Sequence, residues 1–327
     1  MPQVQGPVAQ RKADFFDWGS KLFHYKGASL TRRGGSAMSF QKQLSSGEFV
    51  VLAEMNTPKG VDISEMVTNA RKIKERVDGA IIPDMDNGVM RMSALAGGVL
   101  MRQQGIEPII HVYGRDRNRM AIQGDLLAAH VLGIQNLLVV HGEEMSYGDH
   151  VDAKPVDDLD ELGIIRAIQS LQEGVDMAGF DLKGSPNFTV GCMIKPFADD
   201  TALDQELEKA QGKISAGAQF VIFPPVFDLE RLSAFVQKAK SLGVPIISTV
   251  FLLKTVGIAR YMATYEPGVF ISEDLIKRLR RAPDREMEGV ILAGETIKAL
   301  RELCQGVRIV TLGWEHRLPA ILDYAGL

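Results

Sequence analysis

Eight short runs rich in β-branched residues recur at near-regular intervals along the chain, and this repeat restricts the fold more than any other feature. Each of the first seven runs is followed by a stretch with helical periodicity. Strands alternating with helices form βαβ units, and eight such units predict an α/β fold, a closed (β/α)8 TIM barrel. The runs are FVVLAEM (49–55), GAIIPDM (79–85), EPIIHVY (107–113), NLLVVHG (136–142), NFTVGCMI (187–194), FVIFPPV (220–226), PIISTVF (245–251) and RIVTLGW (308–314).

The length of the chain leaves room for one barrel and an additional segment. A barrel takes about 250 residues, and the chain has 327 residues. We therefore predict an N-terminal extension over 1–46 and a barrel domain over 47–327. Three hypotheses account for the extension: an arm packed outside the barrel, a docking segment for a partner protein, or a partly added sequence with Met38 as the natural first residue. The aromatic residues that would pack in the first hypothesis are Phe15, Phe16, Trp18 and Phe23.

Composition and charge exclude several classes of function. The formal net charge is −4 and like charges form no long block, which argues against a nucleic-acid partner. The chain contains no run of about 18 apolar residues, so we expect no membrane span. Cys192 and Cys304 stand far apart without a CxxC motif, which favours a reducing compartment and argues against structural zinc. We expect a cytoplasmic homo-oligomer.

Polar residues collect where the runs end, and these ends form the mouth of a barrel, where active sites lie. Glu54 ends the first run. A partly desolvated carboxylic acid there can act as a general acid, and a salt bridge to a nearby Lys or Arg is the alternative. His141, Gly142 and Glu143 end the fourth run, where glycine permits close approach of a ligand and its neighbours can bond a heterocycle. His111 could join His141 and Glu143 around a metal, but no known ligand spacing is present, so we predict none.

Three further segments leave alternatives open. The long polar loop over 143–160 favours a functional role at the mouth, or is a solvated loop with turn-capping Asp residues. RDRNR (115–119) could bind a phosphate at a helix start, or be solvated charge. Pro224 and Pro225 end the sixth strand because proline cannot donate to a sheet. The chain contains no GxGxxG, GxxxxGK[ST] or GxSxG motif, so the common nucleotide and hydrolase signatures are absent from its sequence.

Several motifs, taken in order, resemble the methylenetetrahydrofolate reductase family of flavin-dependent barrels. These motifs are LAEMNTP, EPIIHVYGRDRN, GIQNLLVVHGEE and KISAGAQFVIFPPVFD. GDHVDAKPVDDLD and FLLKTVGIARYM look like a branch from anaerobic, one-carbon-metabolising bacteria. The resemblance covers the chain from about Glu48 to its end.

The resemblance implies reduction of 5,10-methylenetetrahydrofolate to 5-methyltetrahydrofolate, a step that serves methionine biosynthesis. It implies FAD or FMN as cofactor, with electrons from NADH, a protein donor or a larger electron-transfer complex. Glu54 would be the general acid and Glu143 a catalytic carboxylate near the flavin and the pterin. The implied flavin contacts are His111, Tyr113, His141, Gly142 and Lys213, and the implied substrate contacts are Asp84, Pro224, Ile258 and Met262.

Some positions depart from the family pattern. Glu143 replaces an Asp, Pro224 replaces a Gln, and Gly212 replaces an Arg. Ile258 and Met262 stand where a Gln and a Phe usually contact the substrate. A lost polar contact to a pterin costs about 1–3 kcal/mol for each group left unpaired. These departures motivate a second hypothesis, a flavin-free folate-binding methyltransferase-like or non-redox paralogue, and a third, a subunit that depends on a partner.

Overall fold

The computed structural model describes residues 31–32, 35–36, 39–195, 197, 199–225, 227–266 and 269–327. The chain divides into two units between residues 37 and 38. In the first unit, Thr31–Arg32 pairs antiparallel with Gly35–Ser36. The aromatic residues predicted to pack or dock the extension lie outside the described residues, so the hypotheses about that segment stay predictions.

Eight parallel strands close into a barrel, which confirms the predicted fold. The strands pair in the order β8-β1-β2-β3-β4-β5-β6-β7, and β7 pairs with β8 to close the ring. Their bounds are β1 Val50–Glu54, β2 Gly79–Ile82, β3 Pro108–Val112, β4 Asn136–Val139, β5 Thr189–Met193, β6 Phe220–Pro225, β7 Ile246–Phe251 and β8 Gly306–Val310.

Helices alternate with these strands and cover the outside of the barrel. Three of them, α8 to α10, lie between β7 and β8. None of the helices in the described ranges is long and apolar enough to cross a bilayer. The helix bounds are α1 Phe40–Ser46, α2 Ser64–Ile73, α3 Ala94–Gln104, α4 Arg119–Val131, α5 Glu161–Gln172, α6 Asp200–Ser215, α7 Leu229–Ala239, α8 Val256–Tyr265, α9 Glu273–Arg281, α10 Arg285–Leu300 and α11 Leu318–Ala325.

Strands buried on both faces explain why the sequence runs are almost continuously apolar. Successive side chains point to opposite faces, so Leu52 packs in the barrel interior whereas Ala53 packs against the helices. Helix α1 lies within the predicted extension, yet its Phe40 is fully buried in the interior cluster. The Phe40 ring meets the Phe220 ring edge-on with centroids 5.5 Å apart. This contact fills one end of the barrel.

Two helices differ from the sequence predictions. The sequence pattern predicts a helix over 161–178, but α5 ends at Gln172. Gly174 follows with φ of +87°, a left-handed conformation that glycine adopts without strain and that ends a helix. Helix α11 was not predicted. It forms because Leu318, Ile321 and Leu322 bury their side chains completely, and it completes the eighth βα unit.

Candidate active site

A buried ion pair lies on the inner wall of the barrel near the ends of β8 and β1. Arg308 of β8 donates from Nε to Glu54 Oε2 over 2.9 Å and from Nη2 to the same oxygen. Glu54 is 5% exposed and Arg308 is 8% exposed. Among the described residues, no donor bonds to Oε1 of Glu54, so this second oxygen is the one that a ligand can reach.

Sequence reasoning considered a salt bridge for Glu54 but did not identify Arg308 as the partner. The available signal was strand alternation, because Arg308 pairs in register with the inward-facing Leu52. A charged residue at an inward position of a buried strand requires a buried partner of opposite charge.

His111 of β3 and Asp86 form a second polar pair near the mouth. The Nδ1 atom of His111 lies 3.3 Å from Asp86 Oδ1, and the imidazole is 2% exposed. Neither imidazole nitrogen has a well-aligned hydrogen bond within the described part of the chain. Burial by itself would raise the pKa of Asp86, but the neighbouring His111 and Arg308 hold that pKa below its usual value. The buried Nε2 of His111 is therefore a polar atom that a bound ligand can satisfy. Sequence analysis did not single out Asp86.

Arg115 holds together the ends of β2, β3 and β4. Its guanidinium donates to the carbonyl oxygens of Met85 and Glu143 over 2.6 Å each, and to the Asp116 carboxylate over 2.6 Å. A Cβ on Gly142 would lie 3.0 Å from the Arg115 Cβ. A larger residue at position 142 would therefore push against the Arg115 side chain, so this packing favours glycine whether or not a ligand also approaches it.

The other arginines of the RDRNR segment are also paired with carboxylates. Arg117 Nη1 lies 2.8 Å from Asp84 Oδ2, and Arg119 Nη2 lies 2.7 Å from Asp158 Oδ1. The Arg119 guanidinium and backbone lower the pKa of Asp158 to about 2. These internal ion pairs are sufficient to explain the arginines of the segment, so no bound phosphate is needed to account for them.

Asp84 and Tyr113, two of the predicted ligand contacts, are engaged in the packing of the barrel wall. Asp84 accepts the Ala94 backbone N–H over 3.1 Å at the start of α3. Tyr113 is 1% exposed, and its hydroxyl donates to Asp116 over 2.7 Å. A cavity of about 240 Å³ lies between β3 and the helices α3 and α4. Its lining includes Asp84, Tyr113, Leu95, Arg117, Ile122 and Leu126.

Lys213, the predicted cationic contact of the flavin, is buried in α6 beside a carboxylate of this chain. Its Nζ lies 2.6 Å from Glu161 Oε1. Lys195, which follows β5, places its Nζ 3.8 Å from the other oxygen of Glu161 and has a 40% exposed side chain. Of these two lysines, Lys195 has the freer charge.

Glu143 and His141 lie at the rim, and both are exposed. The backbone N–H of Glu143 donates to the carbonyl of Asp86 over 2.8 Å, which fixes the strand end. Partial burial raises the pKa of the Glu143 side chain, and the nearby carboxylates of Asp86 and Glu266 raise it further, whereas Arg115 opposes them. This part of the rim therefore favours a cationic or proton-donating ligand.

The long loop after β4 packs onto the loop after β2. The Asp149 backbone N–H donates to the Gly88 carbonyl over 3.1 Å, and the Asp149 carboxylate accepts the Met90 N–H over 3.1 Å. Lys59 pairs with the same carboxylate. A Cβ on Gly148 would lie 1.8 Å from the Gly88 carbonyl oxygen, so only glycine permits this approach. The loop is a fixed wall of the mouth.

The three apolar substrate positions do not share one environment. Pro224 is buried in β6. Met262 of α8 is 7% exposed and belongs to a small core between α8 and α9, against which Ile258 packs. Met262 therefore has a structural role that is sufficient to explain its apolar character.

We expect the Glu143→Gln substitution to change stability in a pH-dependent way. The pKa of Glu143 is higher in the folded chain than in the unfolded chain, so the folded state loses stability from this group as pH rises through that folded pKa. Glu143→Gln should therefore raise the free energy of unfolding at pH 7, and the thermal midpoint with it. The gain should be less than about 1 kcal/mol because the side chain is exposed. The gain should vanish near pH 4. Thermal unfolding at both pH values measures it, and an equal gain at both would contradict this explanation.

The family model described as methylenetetrahydrofolate reductase matches residues 39–326. No curated protein matches the chain. One similar structure is a Clostridium thermocellum protein that binds two copies of 5-methyl-5,6,7,8-tetrahydrofolic acid. It has a TM-score of 0.60 at 17% identity, over 88% of this chain and 98% of that one.

A second similar structure is an F420-dependent secondary alcohol dehydrogenase in complex with an F420-acetone adduct. Its TM-score is 0.51 at 10% identity, over 84% of this chain and 99% of that one. At these identities the two structures show a shared fold.

Proposed function

The chain belongs to the methylenetetrahydrofolate reductase family, and on that basis we propose that it reduces 5,10-methylenetetrahydrofolate to 5-methyltetrahydrofolate. The observation that carries the proposal is the buried Glu54–Arg308 pair, which leaves Oε1 of Glu54 without a donor among the described residues. A second support is that the similar Clostridium thermocellum protein binds 5-methyltetrahydrofolate.

Glu54 is the proposed general acid. Glu54 is a carboxylate in its pair with Arg308, so it must first take up a proton on its other oxygen, Oε1. That proton then passes to N10 of the folate, the bond between the methylene carbon and N10 breaks, and N10 keeps the electron pair. The imidazolidine ring opens to a cation in which N5 is double-bonded to the methylene carbon. Addition of a hydride to that carbon then gives the N5-methyl group. Arg308 holds Oε2 of Glu54 in place, so Oε1 is the proposed donor atom.

The carboxylates of Asp86 and Glu143 at the rim would stabilise a cationic intermediate. Asp86 is held ionised beside His111, and Glu143 lies close to it. In a partly desolvated mouth, fixed negative charges stabilise positive charge that develops on a substrate. Glu143 would thus act electrostatically, as the polar partner of the pterin.

A flavin, FAD or FMN, is the proposed cofactor. The buried Nε2 atom of His111 fits a heterocycle with a polar edge, so His111 would hold the flavin ring. A bound flavin would supply the hydride, and its electrons would come from NADH or from a protein donor. Glu161 neutralises Lys213. The more exposed Lys195 would therefore be the lysine that contacts a phosphate of the flavin cofactor.

A spectrum of the purified protein, combined with folate binding, tests this function. We expect an oxidised-flavin absorbance that bleaches on reduction, and return of that absorbance when methylenetetrahydrofolate is added. Titration calorimetry with 5-methyltetrahydrofolate should show saturable binding. A protein that binds 5-methyltetrahydrofolate but neither contains nor takes up flavin would contradict the flavin assignment. A protein that binds no folate would contradict the proposed function as a whole.

One observation favours a second candidate, a flavin-free folate-binding paralogue. The cation predicted to contact the flavin, Lys213, is already bonded to Glu161 over 2.6 Å. This candidate predicts a colourless protein that still binds folate, so the same experiment separates the two.

A further inference from the structure

Charged side chains are distributed unevenly around the mouth of the barrel. In a ring of eight strands, β3 and β4 lie across from β7 and β8. The rim beyond β2 to β4 carries the carboxylates of Asp86 and Glu143, and Glu266 lies close enough to influence Glu143. The opposite rim carries Lys254, which stands three residues beyond the end of β7, and Trp314, which follows β8.

Lys254 has contacts that hold its position without cancelling its charge. Its Nζ donates to the carbonyl of Leu312 and lies 4.9 Å from the centre of the Trp314 ring. No carboxylate within the described ranges comes within 4.0 Å of it. Glu315 is a charged neighbour, but its Oε1 accepts the side-chain N–H of Asn56 over 2.9 Å and the backbone N–H of Gly313 over 3.2 Å.

Three other cations of the barrel differ from Lys254, because each is bonded to a carboxylate. Arg308 pairs with Glu54, Lys213 pairs with Glu161, and Lys59 pairs with Asp149. Lys254 keeps an unpaired charge even though burial lowers its pKa. An unpaired, partly desolvated cation gains more from an anionic ligand than a solvated or paired one.

The backbone that holds Lys254 is unusual. Leu312 has a φ of +46° and Gly313 has a φ of +84°, so two successive residues are left-handed. A non-glycine residue in this region is strained, and such residues concentrate at ligand sites. The Leu312 carbonyl in this turn accepts a hydrogen bond from the Lys254 ammonium. The turn therefore fixes the cation at the rim.

We propose that Lys254 binds the carboxylate-bearing tail of the folate, while the pterin lies across the mouth near His111 and Glu143. This inference rests on the proposed function and adds to it a subsite that selects for the tail. A carboxylate of the tail would form an ion pair with the Lys254 ammonium. The carboxylates of Asp86 and Glu143 would then face the nitrogen-rich pterin. A ligand bound the other way round would place its carboxylates against Asp86 and Glu143.

Titration calorimetry with two probes tests this subsite. The probes are 5-methyltetrahydrofolate, which has the tail, and 6-methyltetrahydropterin, which lacks it. The variants are Lys254→Met, Lys254→Arg, which keeps the charge, and Lys59→Met, a control that removes a rim lysine already paired with Asp149. Lys254→Met should weaken binding of the folate about ten-fold, because a hydrogen bond to a charged group contributes about that factor. Binding of the pterin should change less than about two-fold, and Lys254→Arg and Lys59→Met should bind both probes as the wild type does.

Each other outcome overturns a specific statement. If Lys254→Met binds both probes as tightly as the wild type, the subsite is wrong and the proposed function stands. If it weakens both probes equally, Lys254 does not select for the tail. If the wild-type protein binds neither probe, the proposed function fails and the subsite fails with it.

Discussion

Replacing Arg308 by Met should lower the free energy of unfolding by about 3–5 kcal/mol, because the substitution leaves the Glu54 carboxylate buried without its partner. Both residues are more than nine-tenths buried, and Arg308 provides two donors to one Glu54 oxygen. Among the described residues, no second cation is bonded to Glu54. Urea unfolding followed by far-UV circular dichroism measures the effect.

The control for this prediction removes both charges at once. In the double variant Glu54→Leu/Arg308→Met, no charge is left unpaired in the barrel, and such replacements are often neutral or stabilising. The double variant should therefore recover most of the stability that Arg308→Met loses. Arg308 also places Nη1 3.5 Å from the Met193 sulfur. If the double variant is as unstable as the single variant, the loss comes from this contact and the packing of the strand, and the ion pair is not the cause.

Glu54→Gln should reduce the rate of methylenetetrahydrofolate reduction by about 10²- to 10⁴-fold, the range typical for loss of a general acid. Glutamine keeps the size of the side chain and can still accept a bond from Arg308, so the fold should persist. It has no acidic proton to give to N10. Single-turnover reduction, measured by flavin absorbance or by the methyltetrahydrofolate formed, reports the step directly.

A matched control is Glu107→Gln, which changes a carboxylate just before β3, at the other end of the barrel. Glu107 Oε2 accepts a hydrogen bond from Asn136 Nδ2 over 3.2 Å. The Glu107→Gln substitution should leave the rate unchanged. Glu54→Gln must also retain 5-methyltetrahydrofolate binding, since binding of the product does not require proton transfer. A Glu54→Gln protein that binds the product and turns over at the wild-type rate would show that another group supplies the proton.

The site illustrates what a sequence pattern can and cannot predict. Glu54, His111, Glu143 and Lys213 were all predicted as site residues from strand ends and motif order, because these positions are fixed by distance along one strand or helix. Their partners were not found. Arg308 and Glu54 are 254 positions apart, and Glu161 and Lys213 are 52 apart, so only the closed ring brings each pair together.

The sequence by itself determined the fold of this protein. Apolar runs at regular spacing can bury both faces only in a parallel sheet covered by helices, and eight of them close the sheet. The tertiary structure decided which charges remain available for a ligand. Arg117, Lys213 and Arg308 are neutralised by carboxylates from other segments, whereas Lys254 is paired with no carboxylate of the described residues. The physical reason is that burial pattern is a local property of each segment, whereas pairing of charges depends on contacts across the barrel that no single segment encodes.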